Sequence, residues 1–120
     1  MLPTNWPREP RPPASGPVLH SLAAITAYTS RVFVAVCDRN GTERGVEFEG
    51  GSVIADPNGW LLAGPIADRG ARTLFAELDL DVAREKRTGP HNDAFADRRP
   101  DRYVAALREP AGEVARPLGA

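Results

Sequence analysis

The stretch Val32-Phe33-Val34-Ala35-Val36-Cys37 decides the architecture. Six consecutive apolar residues, with valine at every second position, read as a strand buried on both faces in the middle of a covered sheet. Asp38-Arg39-Asn40-Gly41 ends it. Immediately upstream the period changes. Val18, Leu22, Ile25 and Thr29 fall on one helical face, Ala24 and Tyr28 lie beside it, and neither Gly nor Pro interrupts. That spacing predicts an amphipathic helix over 18–30 with those residues facing the core.

Downstream, Gly41, Gly45, Gly50 and Gly51 with three Glu predict an irregular loop over 41–51. Ser52-Val53-Ile54-Ala55 and Trp60-Leu61-Leu62-Ala63 then read as two strands. Asp56-Pro57-Asn58-Gly59 between them is a hairpin turn, because Pro presets φ and Asn-Gly supplies left-handed positions. Arg72–Leu78 alternates as a fourth strand. Asp79 and Asp81 open a short helix through Arg87, with basic residues near its end to suit the macrodipole. Gly89-Pro90 closes it, and an extended tail follows. At the other end, six of the twelve prolines fall in residues 1–17. Each removes a backbone donor, so this segment reads as an extended leader rather than a helix or central strand. The expected core is therefore helix, strand, hairpin, strand and helix over 18–89, of mixed α/β (α+β) class.

Composition narrows the function. With 120 residues the chain suits one domain, and 42% hydrophobic content is that of a globular protein. Fifteen basic against sixteen acidic residues argue against a polycation for nucleic acid, and all the basic residues but Lys86 are Arg. No apolar run approaches the ~18 residues of a membrane span. A single cysteine excludes an internal disulfide and suits a reducing cytoplasm.

Candidate chemistry is sparse. Cys37 ends an apolar strand and reads as a small core hydrophobe. His20 at the helix start and His91 in the tail lack neighbours at metal-ligand spacing. Ser52, His91 and Asp97 could be combined on paper, but the surroundings of Ser52 lack a nucleophile elbow and lead into a strand. The glycine-rich loop has no phosphate-binding signature. Arg98-Arg99-Pro100-Asp101-Arg102 reads as an ion-paired surface cluster. Trp6 is costly to leave in water, so it either packs against the fold or lines a pocket.

Taken in order, several segments resemble a known family. Leu2-Pro3-Thr4-Asn5-Trp6-Pro7, Arg31–Arg39 with Gly41, Phe48–Gly59, Glu77-Leu78-Asp79-Leu80 and Arg98–Tyr103 together resemble the C-terminal half of the nitrilase superfamily of carbon–nitrogen hydrolases. The resemblance implies a partial hydrolase domain over 1–103, half of a four-layer α-β-β-α sandwich, with residues 104–120 as an extended tail. It implies hydrolysis of a small amide or nitrile through a cysteine thioester, with no cofactor or metal, and homo-oligomers formed through helical faces. Neither nucleic acid nor membrane is expected as a partner.

The family's Glu, Lys and Cys are expected upstream of Met1. Cys37, Lys86 and Glu43, Glu47 or Glu49 stand in the wrong order, so no catalytic residue carries over. What carries over is a pocket wall of Thr4, Asn5 and Trp6. Asp38 stands where the family often has Asn, which alters polar contacts near the strand end. With half a sandwich absent, the 32–37 strand would leave an apolar edge and face uncovered. The leading expectation is a truncated hydrolase, inactive alone; the rival is a non-catalytic oligomerisation module that pairs with an intact homologue.

Overall fold

The computed structural model describes residues 1–12, 14–65 and 70–108. A four-stranded sheet is its centre. In spatial order it contains β1 (Leu2–Thr4), β2 (Val34–Asp38), β5 (Val53–Ala55) and β6 (Leu61–Ala63). β1 runs parallel to β2, whereas β2–β5 and β5–β6 are antiparallel. The Pro-rich leader thus begins as a short edge strand, an extended conformation in keeping with its reading as neither helix nor central strand. It can do so because β1 is an edge, where Pro3 withholds no donor the sheet requires.

Helix α1 (Val18–Ser30) packs on one face of this sheet. Pro17 precedes its first turn, and Arg31 ends it in the left-handed region at φ 50° and ψ 53°. The helix lies where its periodicity predicts, but it is turned differently. Leu19, Ala23 and Ala27 are its buried residues and meet Val34, Val36, Val53 and Ala55 of the sheet. Val18, Leu22, Ile25 and Tyr28 remain exposed. Two alanines at successive i, i+4 positions let the helix approach the sheet closely, which the bulkier stripe would prevent.

Along β2 only Val34, Val36 and Asp38 are buried, while Cys37 is exposed. The strand is therefore covered on one face, and Cys37 is not a core residue. The turn at 56–59 forms as its residues require. Asp56 Oδ1 accepts from the amides of Asn58 and Trp60 at 2.9 and 2.8 Å, and Gly59 adopts φ 82°.

Other elements depart from the sequence reading. The 41–51 loop contains a hairpin of β3 (Asn40–Glu43) and β4 (Val46–Glu49). Arg44 and Gly45 at its tip have φ of 51° and 81°, the pair of left-handed positions of a tight hairpin turn. Residues 72–78 form no strand, although 74 and 76 are less exposed than their neighbours. The helix expected to reach Arg87 shrinks to a 3-10 turn, Leu80–Arg84, capped by the Asp79 carboxylate. Beyond it β7 (Arg87–Gly89) pairs with β8 (Asn92–Asp93). Helix α2 (Pro100–Arg108) occupies what was read as tail, with Pro100 at its start and Asp101 in the first turn. The rest of the expected tail, 109–120, lies outside the described residues.

Candidate functional site

After Thr4 the chain leaves the sheet and is held at both ends of the Thr4–Trp6 segment. The Thr4 carbonyl accepts from Arg39 N at 3.1 Å, and the Trp6 carbonyl accepts from Glu49 N at 3.0 Å. Pro7 bridges to Phe48, and Arg8 N donates to the Glu47 carbonyl at 2.8 Å. The leader is thereby stitched to β4, and the Arg8–Glu47 and Arg11–Glu49 ion pairs reinforce that seam.

Beneath this segment lies the Asp38 carboxylate, in a residue only 8% exposed. Its Oδ1 accepts from Thr4 Oγ1 at 2.8 Å and Trp6 N at 3.0 Å, and its Oδ2 accepts from Gly51 N at 3.0 Å. The Asp38 amide donates to Ser52 Oγ at 2.9 Å. Across from Asp38, His20 fills the space that a side chain at Gly51 would need, its Nε2 lying 2.8 Å from where a Cβ would stand. Nε2 is buried without a hydrogen-bond partner. Burial pushes the His20 imidazole below its usual range, against the opposing pull of the Gly51 backbone and of Glu49.

Of the expected wall, the Thr4 hydroxyl is therefore engaged by Asp38, Trp6 packs partly buried against the core, and Asn5 is exposed. The cleft beside Trp6, about 40 Å³, is too small for an organic ligand. A larger hollow of about 230 Å³ opens on the sheet face opposite α1, lined by Met1, Ala35, Cys37, Ile54, Thr73 and Leu74 among others. Because the neighbours of Cys37 along the chain are apolar on both faces, nothing local signals its exposure, which depends on what covers the strand.

The paper triads do not assemble. Lys86 Nζ donates to the Arg31 carbonyl at 2.7 Å and lies 5.1 Å from the centre of the Phe95 ring. Glu43 pairs with Arg39. Ser52 is bonded to the Asp38 backbone, and Asp97 accepts from Asp93 N at 2.7 Å. Among the described residues no cluster of His, Cys, Asp and Glu could hold a metal ion. The basic cluster is ion-paired as expected, with Arg99 on Asp101 at 2.8 Å, while Arg98 stacks over Phe95. No helix among the described residues is long and apolar enough to cross a membrane.

The carbon-nitrogen hydrolase pattern matches residues 8–88, more than half of the 120-residue chain. The chain belongs to the carbon-nitrogen hydrolase family. A nitrilase from Pyrococcus abyssi is 38% identical over 79 residues, which make up 66% of this chain and 30% of that protein. The crystal structure of a carbon-nitrogen hydrolase from Helicobacter pylori G27 superposes with a TM-score of 0.62 at 25% identity, over 76% of this chain and 32% of that one. The chain thus spans about a third of the length of these relatives. The family match takes in β2 to β6 and Asp38, whereas Thr4–Trp6 and Arg98–Tyr103 lie outside it.

Proposed function

We propose that this chain is the C-terminal part of a carbon–nitrogen hydrolase. Its longer form would hydrolyse a small amide or nitrile to a carboxylic acid and ammonia in the cytoplasm, with Thr4, Asn5 and Trp6 along the pocket. The 120 residues alone are inactive. The observation that carries this reading is a sheet that, among the described residues, has a helix on one side only. Its other face presents Ala35, Cys37 and Ile54 to an open hollow, where a second layer would complete the sandwich. In the longer form a base-activated thiolate attacks the amide or nitrile carbon, ammonia leaves, and water releases the acid. On this reading the nucleophile, base and lysine come from sequence outside these 120 residues.

The test is ammonia release by the purified chain from a panel of short aliphatic amides and nitriles. No turnover is expected. Turnover that disappears in Cys37→Ala would overturn the reading.

A second reading has its own support. Val18, Leu22, Ile25 and Tyr28 form an exposed apolar stripe on α1, suited to pairing with another copy or an intact homologue. Under it the chain is a non-catalytic module. Light scattering would show a monodisperse oligomer that Ile25→Asp dissociates, and a monomer at all concentrations would sink it.

A further inference from the structure

We propose that Asp38 is the positioning residue of the Thr4–Trp6 wall, a two-sided carboxylate clamp that fixes this segment against Gly51 and presents Asn5. The inference rests on the placement of that wall beside substrate given above.

One side of the clamp is set by shape. A Cβ at Gly51 would lie 2.8 Å from His20 Nε2, and one at Gly50 would lie 2.7 Å from Asn40 Cβ, with Gly50 at φ 69°. The Gly51 amide therefore has little freedom, and its N–H points at Oδ2. The other side is the exit from an edge strand of three residues, which has no neighbour beyond it in its sheet among the described residues. Oδ1 takes both the Thr4 hydroxyl and the Trp6 amide, so one side chain ties the free-running segment to the fixed loop. Asn5 sits between the two tethered residues. It is exposed and makes no side-chain hydrogen bond among the described residues, so the clamp presents its carboxamide outward.

The chemistry is specific to a carboxylate. Both oxygens must accept, because Gly51 N–H and Trp6 N–H are donors only. Asparagine has one acceptor oxygen. Whichever way its amide turns, an NH₂ faces a backbone N–H on one side.

Amide hydrogen exchange on the ¹⁵N-labelled chain tests this. In Asp38→Asn, which is nearly isosteric and keeps the fold, exchange at Trp6 or at Gly51 should accelerate by about tenfold or more relative to the Val36 and Val53 amides of the β2–β5 pairing. In a Trp60→Phe background, iodide should quench Trp6 fluorescence more strongly in the variant. Ser52→Ala removes the neighbouring bond to the Asp38 backbone but spares the carboxylate, so it should leave the Trp6 and Gly51 rates unchanged. A contribution to global stability alone would move every amide together. Uniform acceleration in Asp38→Asn, or the same local effect from Ser52→Ala, would overturn the proposal. These readouts involve no substrate, so their failure leaves the pocket-wall reading standing. That reading fails separately if Asn5→Ala leaves KM and kcat of a longer, active form unaltered.

Discussion

Replacing Arg31 with glycine sets two opposing effects against each other, and the structure says which one wins. Arg31 ends α1 in the left-handed region, where glycine is the ordinary occupant and a side chain costs about 1 kcal/mol. On backbone grounds alone, Arg31→Gly should stabilise the fold by about that amount. The side chain opposes this. Arg31 is 7% exposed, and its Nη1 donates to the Pro57 carbonyl at 2.8 Å and to Asn58 Oδ1 at 2.7 Å, while Nε reaches the Glu85 carbonyl at 3.3 Å. Pro57 is fully buried, so its carbonyl has no ready substitute in water.

Bonds from a charged donor contribute about 1.5–3 kcal/mol each, and the low end suits a guanidinium that also gives up hydration. The two short bonds then total about 3 kcal/mol, leaving a net loss of about 2 kcal/mol. For a domain of this size that lowers Tm by roughly 10 °C. Thermal unfolding followed by circular dichroism measures it, with Arg31→Lys as a companion that keeps charge and backbone but loses the planar fork. A glycine variant as stable as the parent, or more so, would refute the reasoning.

The exposed Cys37 should react with a thiol reagent in the folded chain at nearly the rate of a free thiol; slow, unfolding-limited labelling would contradict its place on the open face. His20 has a depressed pKa, so the unfolded chain takes up its proton first. Its stabilising contribution is present above pH 6.5 and is lost as pH falls from there toward the folded value. His20→Gln should therefore flatten the dependence of Tm on pH below 6.5, and an unaltered slope would count against it. Ala76→Pro should leave Tm within about 2 °C, because no backbone hydrogen bond joins 73–78 to other described residues. A large drop would mean the segment is paired after all.

Much of the fold was legible where neighbours along the chain decide the outcome. The uninterrupted helical period of 18–30, the valine-rich 32–37 run and the Asp-Pro-Asn-Gly turn each yielded the element expected. The β3–β4 hairpin was missed because its two-residue Arg44-Gly45 tip lies within a glycine-rich, charged stretch, although Gly45 after a β-compatible Thr42-Glu43 was the available signal. The 79–87 helix falls short because Arg87 pairs with Asp93 in the β7–β8 hairpin, and Lys86 Nζ meanwhile donates to the Arg31 carbonyl, a bond across 55 positions with no local trace. The wall residues are nameable only by resemblance, and nothing local in the sequence marks Asp38 as the acceptor of three donors.

The sequence by itself determined which segments can be helix or strand, since φ/ψ preference and side-chain period act within a few residues. It also determined the family, because ordered motifs survive without their surroundings. Only the tertiary structure decided which stripe of α1 meets the sheet, where two alanines displaced the larger aliphatics by allowing closer approach. It alone decided that Cys37 is exposed and that 72–78 forms no strand. Burial and strand pairing are properties of the surface brought opposite a residue, and among the described residues the helix that buries Val34, Val36, Val53 and Ala55 lies on one face of the sheet.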